Sequence, residues 1–201
     1  MRESRIIPSP TVSIRADTHA AESGPKIVGY AAKFNVEAEI GEGFFEQIAP
    51  GAFSQSIGED DIRCLFNHNP NFPLGRTANK TLLLSEDSVG LRTVCLPPDT
   101  QQARDVCESI RRGDITGMSF TFDVRGQSWS KDADGGYHRT LTDCRLYDVG
   151  PVTFPAYDST EVVMRTFNQL VNAWELEQAS ERRTFIATAR RRLELRAKSR
   201  H

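Results

Sequence analysis

Met118, Phe120, Phe122 and Val124 alternate with Ser119, Thr121 and Asp123. A period of two with bulky apolar residues on one side specifies a strand that buries one face against a core. Ser119 falls on the other side, so the pattern predicts a small hydroxyl exposed beside a thick apolar face. Just upstream, Asp99 to Arg112 reads as a helix, with Asp99 as cap, Gln102 three residues on and an apolar stripe of Ala103, Val106, Cys107 and Ile110. Arg111 and Arg112 suit its negative end, and Gly113 suits the stop. A helix, a glycine turn and a strand make a rigid mount for one serine.

A chain of 201 residues can bury one core, which predicts one main domain with tails. No apolar run reaches the roughly 20 residues of a membrane helix, and Met1 to Pro8 has no apolar stretch of the kind that drives secretion. The four cysteines, 64, 95, 107 and 144, include no close pair in sequence, and His19, His68, His138 and His201 are scattered. That spacing predicts free thiols in a reducing compartment, no zinc site and no cofactor. From Arg165 onward nine Lys and Arg face four Glu, a local +5, which leaves −7 on residues 1–164. Body and tail are therefore electrically different objects.

In chain order, residues 1–25 are rich in Ser, Pro, Thr and charge, and read as a flexible arm or an imperfect edge strand. Lys26 to Val36 is the first strand, with Gly29 expected at a bulge or close approach. Phe44 to Ile57 holds a strand, a Pro50-Gly51 turn and one helical turn. Ile62 to Pro70 is a strand running into a turn, which carries His68 to its mouth on the Ile62/Cys64/Phe66 face. A hairpin over Thr81–Leu84 and Val89–Leu96 ends at Pro97-Pro98. After the Ser119 strand, 126–136 reads as a polar loop, followed by strands over Tyr137–Leu146 and Tyr147–Pro155 with a break at Gly150-Pro151. Many short strands with one or two helices predict a mainly β, α+β chain built on a small antiparallel β-barrel. From Thr166, Phe167, Leu170, Val171 and Trp174 form a helical stripe, continued by Phe185, Ile186, Ala189 and Leu193 toward Arg190-Arg191-Arg192.

Peptide hydrolysis by a serine needs an imidazole to take and return the hydroxyl proton and a third group to fix the imidazole tautomer. His68, Ser119 and Asp148 are candidates in that chain order, which differs from the order in α/β-hydrolases and in chymotrypsin. Gly117-Met118-Ser119-Phe120-Thr121 also lacks the second glycine of the hydrolase elbow. Residue chemistry alone leaves this as one arrangement among several.

The runs Ile27–Phe34, Ile48–Phe53, Leu65–Asn69 and Leu74-Gly75-Arg76 are followed by Gly90-Leu91, Arg104, Gly117–Phe120 and Leu146–Tyr157. Together they resemble the prohead (procapsid maturation) serine proteases of tailed bacteriophages, over about residues 26–164. The resemblance implies a fold similar to the herpesvirus assembly proteases, a β-barrel flanked by helices. It implies Ser119 as nucleophile and His68 as base. Asp148 is the expected third member, where relatives often carry Glu, with Asp143 and His138 as rivals. It further implies cleavage of the scaffolding segment of the major capsid protein, and of the enzyme itself, inside the immature prohead in the host cytoplasm, with self-association as a further expectation.

The expected division is an arm over 1–25, a protease domain over 26–164 and a basic helical tail over 165–201. Two other classes compete. An inactive structural component of the procapsid would keep the barrel but has no use for His68 and Ser119 together. A nucleic-acid module using Arg190-Arg191-Arg192 is opposed by the acidic body, so neither specific nucleic acid nor a membrane is an expected partner.

Overall fold

The computed structural model describes residues 2–7, 12–15, 24–154 and 161–198. In order these form β1 (Arg2–Ile7), β2 (Val12–Arg15), β3 (Lys26–Lys33), β4 (Ala38–Gly41), β5 (Phe44–Ile48), α1 (Ser54–Glu59), β6 (Arg63–Leu65), β7 (Pro73–Arg76), β8 (Leu82–Glu86), β9 (Gly90–Cys95), α2 (Gln101–Arg112), β10 (Gly117–Lys131), β11 (Tyr137–Val152) and α3 (Glu161–Lys198). Pro155, Ala156 and Tyr157 lie outside the described residues, as do the side chains of Phe167, Leu170 and Leu193.

The long hairpin β10–β11 is the frame of the larger sheet, which runs β1-β10-β11-β5-β4, with β6 on β11 and β7 on β6. The smaller sheet runs β2-β3-β9-β8. The class is thus strand-rich α+β, as the alternation predicts. Uniformly antiparallel pairing is not found: β5 lies parallel to Tyr137–Leu141, and β6 lies parallel to Asp148 and Val149. Both strands reach β11 by crossing connections rather than tight hairpins, which permits parallel pairing.

The core lies where the Met118/Phe120/Phe122 face meets Ile27, Ala31, Leu82 and Leu91 of the smaller sheet, and all of these are buried. Phe53 meets Phe120 edge-on at 5.5 Å between centroids. Each such fully buried side chain contributes about 1.5–3 kcal/mol relative to exposure. The α2 stripe (Ala103, Val106, Cys107, Ile110) closes the same core, and Gly113 ends the helix at φ 84°. The cap is Thr100, whose Oγ1 accepts from the Ala103 amide at 3.3 Å. Asp99 instead takes an ion pair with Arg104. The expected cap moves by one residue because the helix starts later than its charge pattern suggests.

Three other expectations shift. The irregularity in β3 falls between Tyr30 and Ala32, with Gly29 in register opposite Thr93. The polar stretch 126–131 is strand rather than loop, paired through Lys131↔Tyr137, so the true turn is 132–136. β11 runs unbroken through Gly150 and Pro151. Polar residues continue these strands because Trp129 covers a buried guanidinium. Arg139, 1% exposed, donates to Glu46 at 3.0 Å, to Glu3 at 3.0 Å and, through Nε–H, to Gln127 Oε1 at 2.7 Å. Composition hides this network, since each member reads singly as surface.

At the N-terminus, β1 pairs with β10 and β2 with β3, so these two stretches are edge strands. At the C-terminus, α3 docks on the distal end of the hairpin. Val171 is buried with Phe44, Trp174 meets Trp129 at 6.5 Å and Tyr137 at 6.1 Å, and the Tyr137 hydroxyl donates to Glu175 at 2.5 Å. Farther along, Leu176, Phe185 and Ile186 are exposed.

Candidate active site

The site is built on β10, β11 and the turn after β6. Register places Ser119 opposite Gly150 and Thr121 opposite Asp148, and Asp148 in turn lies beside Arg63 of β6. Three adjacent strands therefore deliver the three side chains to one face. β6 ends at Leu65, and Phe66–His68 form a 3₁₀ turn in which Asn67 (φ 52°) and His68 (φ 54°) are both left-handed. His68 is thus aimed by a turn, not by the strand alternation that the sequence suggests. Asn and His tolerate this conformation better than most residues, yet two in a row hold strain that the surroundings must offset. Asn67 supplies the offset. Its Oδ1 accepts from the Thr153 amide at 2.8 Å and its Nδ2 donates to Thr153 Oγ1 at 3.0 Å, tying the turn to the strand end.

Around the imidazole, Nε2 lies 2.5 Å from Ser119 Oγ, while Nδ1 contacts Asp148 Oδ1 and lies 3.1 Å from Thr121 Oγ1. The geometry suits a neutral ring that donates Nδ1–H to the carboxylate, with Thr121 as second acceptor, and that accepts the serine O–H at Nε2. Ser119 is fully buried rather than exposed as its strand position suggests, because the His68 ring roofs it. The His68 side chain keeps 24% exposure and Asp148 12%, so the relay is enclosed but its histidine reaches solvent. Thr121 and Asn67 are parts of the site that sequence reading passes over. The signal for Thr121 is its place two residues after Ser119 on the same face, whereas Asn67 reads as a plain turn former.

Gly150 explains how β6 comes so near. A Cβ there would stand 1.9 Å from the Leu65 carbonyl oxygen, so only glycine lets the strand that leads to His68 pass. Gly150→Ala is expected to lower stability by about 3 kcal/mol, as overpacking against backbone does, and to displace His68. Thermal denaturation beside wild type checks it, and an unchanged midpoint would show that β6 can yield.

The rivals for the third position lie elsewhere. Asp143 is opposite Gly126, roughly 17 Å along the strand from Asp148 at ordinary rise. His138 is held by Glu37 at 2.7 Å and Asp132 at 3.1 Å, which in that order raise its pKa, and it stacks on Phe45. A thiol nucleophile is disfavoured near the site. A hydrogen bond with Cys95 and then burial hold Cys64 well above the ordinary thiol value, and burial pushes Cys144 up to about 12. All four cysteines are buried and unbridged. Among the described residues no cluster of three or more His, Cys, Asp or Glu could hold a metal ion, and no helix is long and apolar enough to cross a membrane.

The fold is similar to a solved structure described as the bacteriophage T4 capsid assembly protease, gp21. The TM-score is 0.51 with 12% identity, covering 75% of this chain and 96% of that one. No curated protein matches the chain. The family described as caudovirus prohead serine protease matches residues 11–172. The match takes in every element from β2 to the first turns of α3, including the strands and turn that carry Ser119, His68 and Asp148. With that much of its length inside the match, this chain belongs to the caudovirus prohead serine protease family.

Proposed function

We propose that the protein is an active serine endopeptidase of prohead maturation, with Ser119 as nucleophile, His68 as general base and Asp148 as the group that orients it. The observation that carries this reading is the unbroken hydrogen-bonded line from Ser119 Oγ through both His68 nitrogens to Asp148. As a substrate carbonyl is attacked, the Oγ proton passes to Nε2, and the resulting imidazolium is stabilised by Asp148 across Nδ1. The proton then goes to the departing amine, and water hydrolyses the acyl-serine by the same route in reverse. Family membership supports the scaffolding segment of the major capsid protein as substrate, together with the enzyme's own chain, inside the prohead. The facing of β3 against β10 and β1 supports reading the two sheets as halves of a herpesvirus-protease-type barrel.

The test is mass spectrometry of the unprocessed capsid precursor incubated with the protein or with its Ser119→Ala form. Discrete cuts with the first and none with the second are expected. An intact precursor in both would end the catalytic reading and leave a structural role in the procapsid.

Within this reading the protease domain spans 26–164, and 165–201 serves delivery. Val171 and Trp174 are docked whereas Phe185, 76% exposed, and Ile186 are not, so the division of labour is expected to fall inside α3. Truncation before Ser180 is expected to leave cleavage of a supplied precursor within about two-fold, since exposed helix far from the site contributes little to the fold. Incorporation into assembling proheads is expected to fall sharply. Normal incorporation of the truncated chain would assign delivery to another part.

A further inference from the structure

β10 has two edges, and one of them is held by β11 along its whole length, from Gly117↔Val152 to Lys131↔Tyr137. Only the other edge can accept a further strand beside Ser119. In this structure it carries the chain's own residues 2–7, antiparallel, with Arg5 opposite Phe120, Ile6 opposite Ser119 and Ile7 opposite Met118. We infer that this edge is the docking surface for an extended substrate segment, and that β1 occupies it in cis as a detachable competitor. The inference rests on the protease reading above.

Several features mark β1 as detachable. It lies ahead of the 11–172 span that matches the family. It sits at the end of the sheet order, with β10 as its neighbour in the ladder. Among its described side chains, Glu3 holds Arg139 at 3.0 and 3.2 Å. When Glu3 leaves, Arg139 keeps Glu46 at 3.0 Å and Gln127 at 2.7 Å. The buried cluster passes from one cation with two carboxylates to one cation with one. Arg139 is therefore not stranded, and a stranded buried charge is the usual barrier to opening such a network.

The chemistry of the edge follows from its occupant. Backbone N–H and C=O groups of β10 give affinity to any extended chain, as in other strand-addition complexes. Selectivity comes from the positions beside Ser119, where β1 places the β-branched apolar pair Ile6-Ile7. The substrate class is therefore an extended peptide segment with apolar residues aligned next to the nucleophile, taken from a flexible stretch of a larger protein. Because an internal competitor reduces the open fraction, it raises the apparent KM by the inverse of that fraction and leaves kcat alone.

The experiment compares wild type, full-length Ser4→Pro, full-length Glu3→Gln and a chain lacking residues 2–7. Proline at Ser4 weakens β1 as a strand, through its fixed φ and missing N–H, without altering β10. Using a peptide that spans a cut found in the capsid precursor, KM is expected to fall about 5- to 10-fold in Ser4→Pro and in the deletion, with kcat within two-fold. Glu3→Gln should fall between these and wild type. A second readout needs no catalysis: a fluorescent peptide of sequence Arg-Glu-Ser-Arg-Ile-Ile should bind the deletion chain carrying Ser119→Ala, and intact capsid precursor should displace it. If the deletion fails to fold, Ser4→Pro and Glu3→Gln decide by the same KM shift. A lowered melting point with unchanged KM would make β1 purely structural and overturn the inference, as would a bound peptide that the precursor cannot displace. Absence of cleavage by every form overturns the protease reading instead, and peptide displacement then decides the docking edge alone.

Discussion

Ser119→Ala and His68→Ala are each expected to abolish cleavage of the capsid precursor, by about 10⁴- to 10⁶-fold in kcat, while the protein stays folded. The Ser119 hydroxyl sits 2.5 Å from Nε2, which is placed to take its proton. Removing the oxygen deletes the bond-forming atom, and removing the ring deletes its base. Because the two act as one unit, the double variant should be no slower than the slower single one. The serine change also leaves a cavity smaller than a water molecule, so a normal melting curve should accompany the loss. His68→Ala tests more, because the left-handed turn at Asn67 and His68 must survive without the ring. The Asn67 clamp on Thr153 is expected to hold it. Precursor processed at a near-normal rate by either single variant would remove that residue from the mechanism.

Asp148→Asn is expected to lower kcat about 10³- to 10⁴-fold with little change in fold, by presenting an amide where a carboxylate fixes the tautomer. The amide N–H would oppose Nδ1–H, and the ring would turn its proton toward Ser119, where an acceptor is required. Thr121 Oγ1, 3.1 Å from Nδ1, is the acceptor left to steady the ring. It cannot stabilise the imidazolium charge, so only part of the rate is recovered. Asp148→Glu, which keeps the charge one methylene farther out, should be milder. Asp143→Asn should leave the rate near wild type, since Asp143 faces Gly126 well away from the imidazole. A crippled Asp143→Asn beside an active Asp148→Asn would reverse the assignment. Single-turnover kinetics on a common substrate separates these outcomes.

What the sequence made legible follows from how local each signal is. The Met118/Phe120/Phe122 face, the α2 stripe and the Gly113 stop are set within a few residues, and the structure has them where the pattern puts them. The extent of β10 and β11 was not legible. Within the polar stretch 126–131, Gln127 and Trp129 meet buried Arg139, and a guanidinium that is neutralised by Glu46 and Glu3 from distant strands carries no local signature. Ser119 looked exposed because alternation reports which side of a strand faces the main core. It does not report that a turn from elsewhere folds over the other side. The same limit hid the aim of His68. Counting by twos fails once Asn67 goes left-handed, and although Asn67 reads as a turn former, that does not say which way the turn aims His68. Asp148 is a candidate by residue chemistry and becomes the expected third member through the family resemblance, and its distance from Asp143 follows from strand rise.

β11 is one strand from Tyr137 to Val152, and it touches α3 at one end and the catalytic face at the other, about 36 Å away by Asp148. Slipping its register by a single residue would turn Asp148 to the opposite face and put a side chain where Gly150 must let Leu65 pass. Such a site has no half-assembled form: the ladder is in step and the relay is complete, or it is out of step and there is no relay. In the proposed mechanism the relay therefore forms with folding itself. Restraint on such an enzyme then has to act on what reaches Ser119, because Ser119, His68 and Asp148 are in place as soon as the sheet has closed.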